Sequence, residues 1–342
     1  MSLKSIQRKR EYTKYVVDKR LCYYEPPRDK LQKTFAQELS SSLDQKQKSI
    51  SPKFFYDKKG SQLFEEICKL PEYYLTKTEI SILTQLYDKL PSHLNGDFRL
   101  VELGSGSSKK TRILLSILER LHKHIEYFPI DISKILKESS TILLDDYENL
   151  HITGIIDNYE SGLEFIKNYD NKKNLIAFLG SSFGNLDYEH GLKFLQKINS
   201  SMKKNDLFLI GLDLVKDKTV LERAYNDSQG VTAKFNLNVL SRINSELDSN
   251  FNINKFAHHA FYNEYKNRVE IYLRSLENQT VKIHKAGMVL QIKQDELIHT
   301  ENSYKYTISK IKEIFSMSSF RIKDIWFDEK QYFCLVLLSK ND

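Results

Sequence analysis

Near its first third the chain reads Val101-Glu102-Leu103-Gly104-Ser105-Gly106-Ser107-Ser108, and this stretch decides the fold. It ends an apolar run, residues 98–103, and precedes an amphipathic stretch, residues 110–122, whose apolar side chains form one helical stripe. Glycine at a strand-to-helix turn lets the backbone bend sharply and approach a ligand, because no Cβ stands in the way. A turn with no ligand would show the same G-x-G pattern.

Four further apolar runs repeat the rhythm of a short strand followed by a longer helical pattern. Each is bounded by Gly, Asn or Asp, and they span residues 124–130, 150–156, 174–179 and 206–212. Such alternation is typical of an open, mostly parallel sheet with helices on both faces. We therefore expect ligands beyond the carboxyl ends of these strands.

The rhythm changes after residue 212. We predict helices over residues 220–225 and 233–247, and then strands, of which residues 268–274 have the alternation of a half-buried antiparallel strand. A helix over residues 309–317 and a closing hairpin, residues 322–327 and 332–338, complete a seven-stranded sheet. The expected fold class is α/β, with a Rossmann-like, mostly parallel seven-stranded sheet and a second α+β lobe. We assign residues 1–78 and 215–305 to that substrate-binding lobe, and residues 79–214 and 306–342 to the cofactor-binding core.

The spacing of two acidic residues around the glycine turn favours one cofactor class. Asp131 lies 25 residues past Gly106, at the end of the next strand. At that position a carboxylate can accept hydrogen bonds from both hydroxyls of a ribose. Lys109 replaces the third glycine of a dinucleotide site, and no Gly-Lys-Ser/Thr phosphate loop follows. Glu102 would repel a pyrophosphate but suits a positive centre, as in S-adenosylmethionine (SAM). The alternative for Glu102 is a carboxylate that caps the following helix.

Composition narrows the function further. Of the net charge of +7, +6 lies in residues 1–50, so we interpret the basic arm as a solvated flank and expect no nucleic-acid partner. The longest apolar run, residues 207–215, is interrupted by Asp213, and we expect no membrane span. Three widely spaced cysteines predict neither disulfides nor a zinc site, which favours the cytoplasm. The adjacent pair His258 and His259 lacks a third ligand at helical spacing, so we expect no metal.

Several polar, non-repetitive stretches occur in order between residues 51 and 306. They are 51–66 (SPKFFYDKKGSQLFEE), 70–79 (LPEYYLTKTE), 101–106 (VELGSG), 128–133 (FPIDIS), 178–186 (FLGSSFGNL), 225–227 (YND), 230–238 (GVTAKFNLN) and 300–306 (TENSYKY). In these stretches the chain resembles the SAM-dependent histidine Nα-methyltransferases of ergothioneine biosynthesis. The resemblance implies a class I SAM-dependent methyltransferase fold, SAM as cofactor, and methylation of the α-amine of free histidine to trimethylhistidine.

The resemblance also implies roles for substrate-binding residues. Asn185 and Tyr225 bind the substrate carboxylate, Tyr56 and Tyr73 line its amino and imidazole ends, and Tyr56, Asn185 and Tyr225 are the expected catalytic residues. Without the resemblance, Asn185 would be an Asx turn after a strand and the tyrosines would be packing aromatics. The family's imidazole-reading pair matches Glu301 and Ser303, which point the same way in an extended segment. Ile271 stands where the family usually has methionine, a change in the packing around the ring.

For the cofactor, the matching positions are Glu102, Gly104, Ser105, Gly106, Lys110, Asp131, Asn158 and Tyr159. The sequence reads Asp157-Asn158-Tyr159 where the family has Gly-Asp-Phe/Tyr, so the adenine contact at Asn158 is altered. Two alternatives stay open beside histidine methylation. One is an Nα-methyltransferase of another amino acid or amine, and the other is a catalytically silent SAM-binding or RNA-binding protein. We expect the chain to act as a monomer.

Overall fold

The computed structural model describes residues 11–27, 34–104, 106, 108–132 and 135–341. Within these residues the strands are β1 (Thr13–Val16), β2 (Leu21–Glu25), β3 (Phe98–Leu103), β4 (Ile125–Ile130), β5 (Leu150–Ile155), β6 (Lys173–Phe178), β7 (Leu207–Asp213), β8 (Phe256–Asn263), β9 (Arg268–Ser275), β10 (Gln279–Ile283), β11 (Met288–Ile292), β12 (Leu297–Tyr304), β13 (Phe320–Phe327) and β14 (Phe333–Lys340). The α-helices are α1 (Phe35–Leu43), α2 (Lys58–Ile67), α3 (Tyr74–Lys89), α4 (Lys109–Leu121), α5 (Ile135–Asp146), α6 (Tyr159–Lys167), α7 (Tyr188–Ser201), α8 (Lys218–Tyr225), α9 (Val231–Leu247) and α10 (Ile308–Met317).

The central sheet has the order β1-β2-β5-β4-β3-β6-β7-β14-β13 within the described ranges. Strands β2 to β7 pair in parallel, whereas β1, β14 and β13 are antiparallel to their neighbours. The prediction of a mostly parallel sheet is therefore confirmed. The count of seven strands was wrong, because β1 and β2 add a hairpin to the outer edge of β5.

That hairpin also corrects the domain assignment of residues 13–25, which belong to the core sheet and not to the substrate-binding lobe. The side chains of Leu21 and Tyr23 alternate along β2 and bury against the sheet, with 2% and 1% of their surface exposed. A five-residue strand has too short a pattern to be distinguished from a loop by periodicity. Residues 1–10 and 28–33 of the predicted basic arm lie outside the described residues.

The two faces of the central sheet are both covered by helices. Alternate residues of β3 point to opposite faces, so that Leu100 packs with Leu114 of α4, while Val101 packs with Leu163 of α6. Burial on both faces explains why the parallel strands are continuous apolar runs in the sequence. The strands and helices predicted from that pattern begin and end within a few residues of the observed ones.

The second lobe has its own hydrophobic core. Apolar residues of α1, α2, α8 and α9 pack there against a three-stranded antiparallel sheet of order β12-β9-β8 and against the hairpin β10-β11. Helix α3 belongs to both parts, since Tyr74 and Leu75 lie in the lobe core, whereas Ile82 and Leu86 pack on the central sheet. The expected boundary at residue 78 thus falls inside one continuous helix.

Backbone hydrogen bonds join the segment that directly follows β12 to the carboxyl end of the central sheet. The Tyr306 N–H donates to the Asp213 carbonyl at 2.9 Å, and the Val215 N–H donates to the Tyr306 carbonyl at 3.0 Å. Gly184 follows β6 and lies so near β12 that a Cβ there would approach the Tyr304 carbonyl oxygen to 2.9 Å. The lobe therefore lies directly beyond the strand ends, where the sequence predicts ligands.

Burial of the central strands sets a stability expectation. Leu209 in β7 has 0% of its surface exposed, and Leu209→Ala should lower the free energy of unfolding by about 2–5 kcal/mol, because it leaves a cavity between packed layers. The matched control is Leu276→Ala, since Leu276 is 42% exposed and its change should cost less than about 0.5 kcal/mol. Urea unfolding followed by circular dichroism measures both. Equal losses in the two variants would contradict this packing.

Candidate active site

The loop after β3 leaves room for a ligand. Gly104 has φ of +77°, and a Cβ there would lie 2.7 Å from the Tyr159 hydroxyl, so the tight approach of these two residues requires glycine. At Gly106, with φ of +48°, a Cβ would meet nothing within 4 Å. The Ser108 hydroxyl at the start of α4 is buried and has no hydrogen-bond partner among the described residues. Ser105, a predicted cofactor residue, lies outside the described residues.

Glu102, the last residue but one of β3, is a buried carboxylate. Its Oε2 accepts hydrogen bonds from the Thr111 hydroxyl at 2.8 Å and from the Tyr127 hydroxyl at 2.6 Å. Burial raises the pKa of Glu102 to about 7, against the lowering effect of these two hydrogen bonds. The carboxylate is thus held in place by two hydroxyl donors.

Asp131 and Tyr159 lie beside this turn. Asp131 directly follows β4, and its N–H donates to the Ile155 carbonyl at 3.1 Å. Burial and then the charges of Asp131 and Glu102 raise the pKa of Tyr159, which keeps that phenol protonated. The structure therefore brings Glu102, Gly104, Asp131 and Tyr159 together.

Asn158 has a structural task in this region. Its Oδ1 accepts from the Ser161 N–H at 3.0 Å and caps α6, while its Nδ2 donates to Asp157 at 3.1 Å. An aspartate could also cap the helix, but it has no amide N–H to give to Asp157. The adenine contact expected of Asn158 stays a prediction.

Lys110 is held by a carboxylate that the sequence analysis did not single out. Glu79 of α3 is 1% exposed, and it accepts from Lys110 Nζ at 2.7 Å and from the Gly180 N–H at 2.8 Å. A Cβ at Gly211 would lie 2.2 Å from Glu79 Oε1, so the carboxylate sits directly on β7. The sequence did contain a sign that Glu79 matters, because Glu79 ends the stretch 70–79, one of those that carry the family resemblance.

These residues fit SAM. Carboxylates at Glu102 and Asp131 suit a cationic ligand with a ribose, and the open space at Gly106 and the unpartnered Ser108 hydroxyl leave a cradle between them. Glu102, Gly104, Gly106, Lys110, Asp131 and Tyr159 would hold the cofactor. Bound SAM would supply an electrophilic methyl group on a sulfonium.

Aromatic side chains form the wall of a second region. The Tyr56 ring lies 5.7 Å from Phe64 and 5.8 Å from Phe235 between ring centroids, and Tyr56 remains 44% exposed. The Tyr73 ring contacts Phe64 at 6.3 Å and Tyr225 at 6.2 Å, both edge to face. Burial and then the neighbouring Tyr225 phenol raise the pKa of Tyr73. The predicted tyrosines thus share one aromatic cluster.

Glu301 of β12 lies within hydrogen-bonding distance of Asn185, which follows β6. With the Asn185 amide nitrogen turned toward it, Asn185 donates to Glu301 Oε1 at 3.2 Å and to the Asn302 carbonyl at 3.3 Å. Ile271 pairs with Glu301 across β9 and β12 and is buried. Burial raises the pKa of Glu301 to about 7, although the charge of Lys305 acts in the opposite direction.

Tyr225 and Ser303 meet around a buried lysine. The hydroxyls of Tyr225 and Ser303 lie 2.8 Å apart, and Lys305 Nζ donates to Tyr225 at 2.9 Å and to Ser303 at 2.8 Å. Lys305 Nζ also forms an ion pair with Asp213 Oδ2 at 2.7 Å. Two predicted substrate residues are thereby tied to the end of β7.

Asp213 organises further groups that the sequence analysis missed. It accepts from the Tyr74 hydroxyl at 2.7 Å and from Lys216 Nζ at 2.5 Å. Burial alone would raise the pKa of Asp213, but the charges of Lys305 and Lys216 hold that pKa below its usual range. The available signal was an acidic residue interrupting the apolar run 207–215, where an unpaired carboxylate would be too costly to bury.

His258 has a structural contact with this site. Its Nε2 donates to the Tyr225 carbonyl at 2.8 Å, and its Nδ1 accepts from the Asn236 amide at 3.0 Å. Among the described residues, no three His, Cys, Asp or Glu side chains are grouped so that they could hold a metal ion. In the same ranges no helix has the length and apolar content to cross a membrane.

The sheet order and the glycine turn beside two carboxylates define a class I SAM-dependent methyltransferase. The chain belongs to the SAM-dependent, histidine-specific methyltransferase family, whose model matches residues 35–340, and the resemblance found in the sequence is confirmed. It is 37% identical to a histidine N-alpha-methyltransferase of Mycobacterium tuberculosis, over 88% of this chain and 93% of that protein. A histidine N-alpha-methyltransferase of Mycolicibacterium smegmatis is 33% identical, over 90% and 96%. Ergothioneine biosynthesis protein 1 of Neurospora crassa is 30% identical, over 84% of this chain and 32% of that protein.

The pKa of Glu102 predicts how SAM affinity depends on pH. Because a cationic ligand favours the ionised carboxylate, and Glu102 has a pKa of about 7, the SAM association constant should rise about tenfold between pH 6 and pH 8. Titration calorimetry at three pH values measures this rise. Glu102→Gln keeps the shape and one acceptor oxygen but cannot ionise. In that variant the SAM association constant should depend on pH only through the titration of SAM itself. An unchanged pH slope in that variant would contradict the role of Glu102.

Proposed function

We propose that the chain transfers methyl groups from SAM to the α-amine of L-histidine and continues to trimethylhistidine. The single observation that carries the proposal is the position of Glu301 and Ser303 on one side of β12, with Glu301 beside Asn185 and Ser303 beside Tyr225. This arrangement offers polar partners to both ends of a histidine molecule. The histidine-specific family and the names of the relatives support the same substrate.

The imidazole ring explains why a carboxylate and a hydroxyl are needed together. A neutral imidazole has one N–H donor and one nitrogen acceptor, so Glu301 would accept from the first and Ser303 would donate to the second. Burial raises the pKa of Glu301 to about 7, and a hydrogen bond from the ring N–H would favour the ionised carboxylate. A phenyl ring offers neither a donor to Glu301 nor an acceptor to Ser303, and an indole offers a donor but no acceptor, so both rings satisfy this pair less well than an imidazole.

Methyl transfer requires a neutral amine with its lone pair directed at the methyl group. Asn185 and Tyr225 would hold the carboxylate, and the ring of Tyr56 would border the amino end, so the substrate is oriented at both ends. In such a reaction the contribution of the protein is positioning, and no covalent intermediate on a side chain is needed. Counted from the ammonium form of free histidine, the nitrogen releases one proton to water for each methyl group that it gains.

Residues from a single chain form both halves of the site, which supports a monomer as the acting unit. The free thiols of Cys22, Cys68 and Cys334 support the cytoplasm as its compartment. Methylation of another amino acid is the second candidate, and the observation that favours it is Ile271. Its branched side chain packs opposite Glu301 where the family usually has methionine, which changes the shape around the ring.

The direct test is a substrate screen. Incubating the protein with SAM and single amino acids should yield products one, two and three methyl groups heavier with histidine, as resolved by mass spectrometry. An amino acid without an imidazole should give less than about one hundredth of the histidine rate, because its side chain cannot both donate to Glu301 and accept from Ser303. Preferred turnover of another amino acid would replace the proposal with the second candidate, and SAM binding with no product would indicate a silent protein.

Glu301 and Asn185 should have separable effects on specificity. Glu301→Ala should lower kcat/KM for histidine about 30- to 150-fold, since a ring N–H loses its charged partner, while turnover of phenylalanine changes little. Asn185→Ala should lower kcat/KM of every amino acid by a similar factor, since it removes a contact to the shared carboxylate. Steady-state kinetics with both amino acids measures the contrast. If Glu301→Ala lowers kcat/KM equally for all substrates, the Glu301 carboxylate does not contact the imidazole ring.

A further inference from the structure

Lys305 is a buried lysine whose three ammonium protons are all engaged. It is 3% exposed, and its Nζ lies 2.7 Å from Asp213 Oδ2, 2.9 Å from the Tyr225 hydroxyl and 2.8 Å from the Ser303 hydroxyl. Burial alone would lower the pKa of Lys305, but the adjacent Asp213 carboxylate raises it above its usual value. Lys305 therefore acts as a permanent donor, with no lone pair to accept a hydrogen bond.

A count of protons follows from this geometry. Tyr225 and Ser303 each have one hydroxyl proton, and Lys305 already donates into the oxygen of each. The 2.8 Å contact between the two hydroxyls uses one of their protons, so one proton is left to point elsewhere. When a ligand offers two acceptors, such as a carboxylate oxygen and a ring nitrogen, the mutual hydrogen bond can open. Both hydroxyls then become donors to the ligand without losing the bond from Lys305.

We propose that Lys305 is a positioning residue for specificity, which forces the hydroxyls of Tyr225 and Ser303 to act as donors toward the substrate. Asp213 would hold Lys305 in place, so the preference for an unprotonated ring nitrogen and an ionised carboxylate would originate in the core sheet. The inference rests on the proposed function, because it assumes that Tyr225 and Ser303 face the amino-acid substrate.

Lys216 offers a matched control. It is a second buried lysine on the same Asp213 carboxylate, but its Nζ donates to Asp213, to the Tyr74 hydroxyl and to the Leu214 carbonyl. Replacing either lysine with methionine removes one of the two positive charges that lie next to the buried Asp213 carboxylate. Only Lys305→Met also removes the donor to Tyr225 and Ser303, so the two variants separate loss of charge from loss of hydroxyl orientation.

The experiment is titration calorimetry of histidine in the presence of S-adenosylhomocysteine, which lacks the transferable methyl group and therefore cannot react. Lys305→Met should raise the Kd for histidine about 10- to 100-fold, whereas Lys216→Met should change it less than about threefold. Both variants should bind S-adenosylhomocysteine as the unaltered chain does, which shows that they are folded. Equal losses of histidine affinity in the two variants, or none in Lys305→Met, would overturn the inference.

A double-mutant cycle provides a readout that a merely structural lysine would not move. Ser303→Ala should weaken histidine binding about tenfold in the unaltered chain but less than about twofold in the Lys305→Met background, because the hydroxyl there is no longer held as a donor. Additive losses would refute the orienting role. If Lys305→Met fails to fold, Lys305→Gln replaces it; its amide can donate to both hydroxyls and should keep the histidine Kd within about fivefold of normal. A Lys305→Gln variant that folds but binds histidine 10- to 100-fold more weakly would then overturn the inference.

The proposed function is judged separately on the unaltered chain. If that chain does not bind histidine, histidine methylation is refuted, and the cycle is run with the amino acid that the substrate screen identifies. In that case Tyr225→Phe replaces Ser303→Ala in the cycle. The Tyr225 hydroxyl would donate to the α-carboxylate, which every amino-acid substrate has, whereas Ser303 would donate only to an imidazole ring. Non-additive losses with Lys305→Met would support the orienting role of Lys305 for that substrate, and additive losses would refute it.

Discussion

A buried carboxylate, Asp213, connects the two halves of this enzyme. It lies at the end of β7, where its backbone carbonyl pairs with Tyr306 and its side chain accepts from Lys305, Lys216 and Tyr74. Removing a charge from water is costly, and these partners together offset that cost. The same contacts fix the carboxyl end of the sheet, the first turn of α3 and the last residues of the lobe sheet relative to one another. The side chains of β12 that we propose for substrate binding depend on that anchoring.

The fold was largely predictable from the sequence, because strands buried on both faces are continuous apolar runs and the helices between them are amphipathic. The predicted strand over residues 98–103 coincides with β3, and helix 309–317 coincides with α10 to within one residue. Strands β1 and β2 were not predicted, because four or five residues with several exposed side chains have no resolvable period. Their position in the sheet depends on pairing with β5, which lies more than about 120 residues later and leaves no local trace.

The candidate site was predictable in part, and the division has a physical cause. Residues such as Glu301 and Ser303 belong to a stretch whose residue types match a known family, so they could be assigned without coordinates. Glu79, Lys216 and Asp213 could not, because they act through pairings between distant segments. A charged residue has no periodicity that shows which partner it meets. Asn158 shows why residue type alone does not fix a role. Its amide oxygen caps α6, and an asparagine at that position could equally have been a ligand contact.

The discontinuous lobe has a consequence for how the chain reaches its folded state. Helix α2 packs on α9, which begins about 160 residues later, so the apolar face of α2 stays uncovered during much of synthesis. Contacts between such distant segments close slowly, because a long loop must lose its conformational freedom first. The central sheet can assemble its parallel strands earlier, up to β7, and then serve as the surface on which the lobe closes. Until α9 has been made, the apolar face of α2 is therefore exposed surface of the kind that promotes aggregation of incomplete chains.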